Sequence, residues 1–545
     1  MTSFRWIRDG LIRHETLLFA ALIGVLLLPV WGVRYLPTQD GAAHLYNASV
    51  LRDYDKPGSG ELRRYFVLTK DLDPYWTVNL ALAWLLRVFP PNVAEKILVS
   101  AYFVLLPLSV RFLLGVIHPR SKFVSWLTFP FAYNHLFQMG FYNFSLGVAC
   151  YGIVLGLWLR HVRAPSIGNL CLLGALGVFL YFTHVSALWM SLAGMTVIGL
   201  WRTAADAGEA ALGRIPGREL WNRLRRVWLE PLAAFLPSLY LAQRFLTAFV
   251  RSPMRPILPP LPFKVSMRVL NDAQPMFGGI EETLYFLATR ALFAAACYAV
   301  LSRVLSRRPS RLDGFFLVPV VFLVLFFMAS QSEAINERLL PFLVVSLIAC
   351  VGLADYNPDE QGVLQLSAAV VGAALVFTLL GEYRRVNRSW EDCLSATRYL
   401  EPGRTMLYIP LEQTAFMPTK TNKPNEWVCS MRHTGCYAAL ERGAISFNDY
   451  EAEEKFLPVQ YRDSLNPYRM LGGYLEAPTP HLNLLGYPAR SGGTLDYILV
   501  WGATPQVLDL PYARPLLFQL HAGYDKIYQS PSDLTILYRR KGLGR

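Results

Sequence analysis

Charge is scarce in this chain. Acidic and basic residues make up 17% of 545 positions and hydrophobic residues 53%, which excludes an ordinary soluble domain and predicts a polytopic membrane protein. No fixed-period repeat is present, so solenoids and propellers are excluded, and no low-complexity tract interrupts the chain. Zinc-site spacing is missing too, since only His433 lies between Cys429 and Cys436 and no second ligand pair follows. No small-residue cleavage site follows the first apolar run, which is therefore expected to remain as an anchor.

What the chain has instead is long apolar runs separated by alternately basic and non-basic loops. Leu17 to Tyr35 is long enough to cross about 30 Å of hydrocarbon, and Arg5, Arg8 and Arg13 before it hold the N-terminus in the cytoplasm. Tyr75 to Phe89 is short, carries Arg87 and ends at Pro90-Pro91, so it predicts an interfacial helix rather than a span. Val93 to Ile117 then returns to the cytoplasm, and further crossings follow near 123–137, 141–159, 168–183, 186–201, 231–249, 283–302, 314–330, 338–355 and 362–382. This phase places Arg160 to Arg163, Arg202 to Arg226 and Arg303 to Arg311 inside, as the positive-inside rule demands. The expected fold is an α-helical membrane domain over 1–382, of about eleven transmembrane helices, including a first outer loop at 37–92.

Past Gly381 the composition turns polar, and 383–545 reads as a soluble extracytoplasmic α/β domain. Met406 to Ile409, Tyr497 to Val500 and Leu534 to Tyr538 are its clearest strands. Cys150, Cys171, Cys297 and Cys350 fall in or beside spans, where small apolar packing suffices. Cys393, Cys429 and Cys436 fall outside, where an oxidising compartment permits a disulfide, and Cys429 with Cys436 is the natural pair. The net charge of +13 needs no nucleic acid, because the basic segment from Arg202 to Arg226 would sit against anionic lipid headgroups. The outer loop with Arg251, Arg255, Lys264 and Arg268 runs against that bias and offers cations to a lipid phosphate or to solvent.

This topology gathers polar residues at the outer face: Asp40, His44, Gln138, Asn143, His184, Glu281, Glu282, Glu333, Glu337 and Arg338. Asp40, in Pro37-Thr-Gln-Asp-Gly-Ala-Ala-His-Leu-Tyr-Asn47, would start an amphipathic interfacial helix. There it serves either as a cap for Gly41 or as a chemical group. His44 lies one turn on and shares its face, so the two could share a proton or a divalent metal, the one cofactor the sequence leaves open. Each of the others has a structural reading: Phe141-Tyr-Asn-Phe144 as aromatic belt, Glu337-Arg338 as a helix start with a snorkelling Arg, His184 as a packed side chain.

The order of one outward helix, an acidic motif, an interfacial stretch from Asp73 to Phe89, a long helix back, many spans and an outer domain resembles the GT-C class of integral-membrane glycosyltransferases. That class includes the protein O-mannosyltransferases and the lipid A aminoarabinose transferases. Asp40 matches the first acid of that class's first-loop motif, and Glu337-Arg338-Leu-Leu-Pro341 is similar to a helix start late in those enzymes, with Leu339 where an aromatic is usual. The closing string Gly523 to Ser530, followed by Leu534 to Arg540, looks like the end of their outer domains. Gly41 departs from the pattern, standing where many members carry a second carboxylate. The resemblance implies a polyprenyl-phosphate-sugar donor, a lipid, glycan or protein acceptor, Asp40 as general base and an inverted anomeric centre. Arg338, with Arg251, Arg255 or Arg268, would then hold the donor phosphate, while His44, Asn143, His184, Glu282 and Glu337 line the substrate site. The reading from a different class is a non-catalytic lipid or glycan transporter, or an envelope-assembly partner, using the same recess for binding alone.

Overall fold

The computed structural model describes every residue except 1, 252–258, 273–279, 307–309, 331–334, 414–427, 455, 473–474, 476–480, 510, 512 and 544–545. The chain divides into two compact units. The first comprises Met1–Pro29, Ser100–Leu136 and Asn143–Leu379, the second Val30–Val99, Phe137–Tyr142 and Leu380–Arg545.

The first unit is helical. Among the described residues of the chain, five helices are long and apolar enough to cross a membrane: Pro91–Ile117, Tyr142–Arg163, Val185–Ala211, Ile280–Ser306 and Pro358–Tyr399. A sixth arises if the bent pair Trp6–Arg13 and Glu15–Trp31 counts as one span, while Ile167–Thr183 and Asp313–Met328 are shorter apolar helices. The stretch near 123–137 differs from the expected crossing. It is a run of 3₁₀ turns over Pro119–Phe131 and then a single α-turn, His135–Gln138. Pro119 at its start and Pro130 inside it withhold two backbone donors, so regular α-helix does not propagate there. Close helix approach relies on small residues: a Cβ on Gly152 would sit 2.8 Å from the backbone oxygen of Ser109. Nearby, Tyr151 and Phe342 meet edge to face at 5.2 Å and fill the interior.

The second unit builds a five-stranded sheet. With β1 as Phe66–Leu68, β2 as Thr405–Pro410, β3 as Ile445–Ser446, β4 as Val459–Tyr461, β5 as Tyr497–Trp501, β6 as Tyr524–Gln529 and β7 as Thr535–Arg540, the strand order is β3-β2-β5-β7-β6. β3, β2 and β5 run parallel, and β7 and β6 add on antiparallel. β2 and β5 are buried along their whole lengths, which is why they read as unbroken apolar runs rather than alternating ones. The three runs expected as strands are β2, β5 and β7.

β1 does not join that sheet. It pairs antiparallel with β4, Phe66 opposite Tyr461, and so ties the first loop to the C-terminal segment of the same unit. The helix Gly41–Asp53 is also held there, against Trp76–Leu85 and Thr434–Arg442. Every residue from Gly41 to Val50 is buried, so this helix is a core strut and not the amphipathic interfacial helix its sequence suggested. Its run of alanines, His, Tyr and Asn is packed on all sides, so burial is set by long-range partners and not by its own periodicity. Trp76–Leu85 is ten residues long, about 15 Å and half of what a crossing requires, and it exposes Leu80 and Trp84.

Candidate active site

Asp40 stands at the N-terminus of Gly41–Asp53, yet its side chain accepts no capping bond from the helix. The capping explanation therefore fails, and the carboxyl, 4% exposed, is turned to other groups. Gln39 Nε2 donates to Oδ1 at 3.1 Å, and the Tyr450 hydroxyl reaches the same carboxyl. His433 Nε2 lies 3.5 Å from Oδ1, with its ring packed on Tyr450 at 4.8 Å. The backbone is fixed as firmly: the amides of Gln39 and Asp40 donate to the carbonyls of Gln138 and Met139, each at 3.1 Å, and the Cys429 amide donates to Gln39 Oε1 at 3.1 Å. Gly140, at φ +89°, closes this turn, and a Cβ there would lie 2.8 Å from the Asp40 nitrogen, so only glycine fits.

His44 is spoken for at both ring nitrogens. Nε2 faces the Gly140 carbonyl at 2.8 Å and Nδ1 pairs with Glu451 Oε1. Both partners are acceptors, so both nitrogens carry hydrogen and the ring is an imidazolium. Burial opposes that charge, but the Glu451 carboxylate, with Asp40 and the Gly140 carbonyl, overrides it and lifts the pKa to about 9. Such a ring has no lone pair to offer a metal, so His44 does not fit the metal reading. Among the described residues no group of three or more His, Cys, Asp or Glu side chains is arranged to hold a metal ion.

Burial raises the Asp40 pKa to about 6, and the charge of His44, the Gln39 bond, Arg432 and Tyr450 keep it from rising further. His433 is pushed the other way: burial first, then the positive charges of Arg432 and His44, hold its pKa well below the usual imidazole value, so it is neutral. A carboxylate poised near neutrality beside a neutral imidazole is a competent proton acceptor with a partner to share the proton. Behind them Asp449, raised well above the usual carboxylate range by burial and by Glu451, accepts from Asn47 Nδ2 at 3.2 Å.

Position 41 explains its own glycine. A Cβ there would collide with Glu95 Oε1, the Tyr142 hydroxyl and Thr38 Oγ1. Glu95, 2% exposed, accepts from Tyr142 at 2.7 Å, and Thr38 lies 2.5 Å from the same hydroxyl. A second buried carboxylate is thus present, supplied by the start of Pro91–Ile117 instead of by the residue after Asp40.

The other candidates belong to the first unit. In the first unit, His184 is buried, shares a 2.6 Å hydrogen bond with Ser186, packs edge-on to Phe144, and has Arg338 within electrostatic reach. Asn143 is buried there too, and Glu337 lies 3.9 Å from His135. Glu281 is buried, but Glu282 is exposed on the outside of Ile280–Ser306 because consecutive helical residues point about 100° apart. Arg255 and Glu333, and the side chains of Arg251 and Arg268, lie outside the described residues. Cys429 and Cys436 are not joined, contrary to the expected pairing: Cys436 turns its sulfur to the Asn448 carbonyl at 3.3 Å, while Cys429 meets Arg432 at 3.6 Å. Sequence reasoning missed Glu95, His433, Asp449 and Glu451. Glu95 alone carried a readable signal, the one acid in a long and mostly apolar helix.

No family model matches the sequence, and no curated protein matches it. Among solved structures, the chain is similar to ArnT from Cupriavidus metallidurans in the apo state, with TM-score 0.52 and 10% identity, covering 97% of this chain and 98% of that one. The likeness runs almost end to end and is one of fold, so the chain has the ArnT fold.

Proposed function

We propose that this chain is a membrane glycosyltransferase that moves a sugar from a polyprenyl-phosphate donor to an acceptor hydroxyl at the outer face of the membrane, with Asp40 as general base. The observation that carries the reading is the buried, non-capping Asp40 carboxyl facing neutral His433, within a fold shared with ArnT. In the proposed step Asp40 takes the acceptor hydroxyl's proton as that oxygen bonds to the anomeric carbon. The bond from that carbon to the phosphate oxygen breaks, and polyprenyl phosphate leaves with the electron pair. One displacement inverts the centre. Phosphate is already a good leaving group, so no general acid is required, and positioned cations can stabilise the charge that develops on it. Arg338 is assigned that task, with His184, Asn143 and Glu337 of the same unit beside the substrate.

An apolar groove in the first unit supports a lipid-linked donor. It is lined by Tyr102, Leu106, Tyr285, Leu292, Phe293 and Ile348, with His135 and Glu337 among its few polar groups. Such a lining suits an isoprenoid chain whose charged end stops at the polar edge. In this reading about eleven crossings, one by the 3₁₀ run Pro119–Phe131 and others by short helices, leave the N-terminus in the cytoplasm and the α/β segment from 383 onward outside. No metal is assigned a role.

The test is transfer of radiolabelled sugar from a panel of polyprenyl-phosphate donors by purified protein in nanodiscs, with native membrane extract as acceptor and Asp40→Asn as control. Label incorporated by wild type and lost in the variant is expected. Donor bound but never consumed, across the panel and with folded protein, would overturn catalysis in favour of lipid handling.

A further inference from the structure

The helix Val185–Ala211 carries a buried charge far from His184. Arg202 lies roughly 27 Å further along the axis by the α-helical rise. It is 8% exposed, its Nε is buried with no hydrogen-bond partner, and it makes no ion pair among the described residues. Asp206, the acid whose charge acts on Arg202, is shared: its Oδ1 accepts from Arg223 at 2.9 Å and from Arg311 at 2.7 Å. Glu219 and Glu209 are likewise taken, by Arg223 at 3.0 Å and by Arg311 at 3.3 Å. Arg163, whose charge also acts on Arg202, donates to the backbone carbonyls of Val116 and Ile117 and has no carboxylate. The cluster therefore carries more guanidinium than carboxylate, and its most buried member is the one that no carboxylate meets directly.

A buried guanidinium that shares one carboxylate with two others is under-neutralised, whereas the same group facing a phosphate makes two parallel charge-assisted bonds. Arg163 ends its helix and Arg202 lies in the later half of Val185–Ala211, both remote from Asn143 and His184, in segments whose basic character fits the cytoplasmic headgroup region. We propose that Arg202 and Arg163 form a binding site for a phosphate-bearing anion, supplied either by the phosphodiester of an anionic membrane lipid or by free phosphate. The site does not depend on the transferase reading, because none of its residues belongs to the Asp40 or His184 groups.

The experiment measures thermal unfolding of the full-length protein in phosphatidylcholine nanodiscs, in nanodiscs containing phosphatidylglycerol, and in phosphatidylcholine nanodiscs with added inorganic phosphate. Wild type and Arg202→Met are compared. Wild type should melt several degrees higher with phosphatidylglycerol, and Arg202→Met should lose that gain while melting no lower than wild type in phosphatidylcholine alone. Stabilisation by inorganic phosphate without phosphatidylglycerol assigns the site to a free anion. Equal gains in wild type and Arg202→Met, or no gain for wild type from either source, would overturn the proposal. Should Arg202→Met not fold, Arg163→Gln takes its place, with a reduced gain expected and an unchanged one counting against the site.

Discussion

Glu95 Oε1 occupies the space where a side chain on Gly41 would begin. The two positions are linked by exclusion: a side chain at position 41 and the Glu95 carboxyl cannot share that space. Gly41→Ala should therefore overpack the site, costing about 1–3 kcal/mol of stability and displacing Asp40, with a lowered melting temperature and lost transfer as readouts. Glu95→Ala combined with Gly41→Ala should recover part of the loss. A fully stable, fully active Gly41→Ala protein would refute this packing.

Asp40→Asn keeps the shape of the side chain and removes the base. Transfer should fall by roughly 10²- to 10⁴-fold while donor binding and melting temperature stay close to wild type. A comparable loss from His433→Gln in turnover but not in KM would place the imidazole in the proton path, whereas an unchanged turnover would confine it to packing.

The pH profile of transfer should be bell-shaped. Below about 6 Asp40 holds its proton and cannot act as base, and above about 9 His44 loses the charge that pairs with Glu451. Glu451→Gln removes the principal group that raises the His44 pKa, so the alkaline limb should move toward neutrality while the acid limb stays nearer its place. A coincident shift of both limbs would show that the two groups titrate as one unit.

Stability should follow the same groups, and both make it fall as pH rises. The His44 pKa is raised from 6.5 to about 9 on folding, so its contribution is complete below 6.5 and lost as pH rises through 9. The Asp40 pKa is raised from 3.8 to about 6, so its ionisation weighs against the fold, a cost absent below 3.8 and complete above 6. Thermal melts between pH 6 and 10 should fall for wild type and fall less for His44→Gln.

Asn387 holds Tyr35 by both backbone groups, accepting from its amide at 2.9 Å and donating to its carbonyl at 2.7 Å, and also donates to the Tyr383 carbonyl at 3.0 Å. Asn387→Ala leaves these buried groups unmade, at about 1–3 kcal/mol each, and should loosen the approach to Asp40. Faster hydrogen exchange over residues 35–40 is the expected signature.

Much of the frame was legible because it is written locally. Apolar length announces the five long apolar helices among the described residues, unbroken apolar runs announce β2 and β5, and Asp40 stands out as an acid at the end of the first apolar run. His433, Asp449 and Glu451 were invisible for the opposite reason: nothing near them in sequence hints at Asp40, and only chain closure brings them to it. His433 was weighed solely as a zinc ligand between two cysteines. Helix Gly41–Asp53 was misjudged as interfacial because its neighbours, Trp76–Leu85 and Thr434–Arg442, were not assigned to it. Glu282 was chosen over Glu281 although the two point to different sides of one helix.

The β1 to β4 pairing, Phe66 against Tyr461, also bears on synthesis. Asp40 leaves the ribosome near the start of translation, whereas His433, Asp449 and Glu451 come close to its end. At ~5–20 residues per second, the interval is roughly 20–80 s. During it the loop that will carry the base has neither its strand partner nor its counter-charges. The site is therefore completed only by the last third of the polypeptide, and a nascent or prematurely terminated chain carries Asp40 as an ordinary solvated acid, incapable of the chemistry proposed for it.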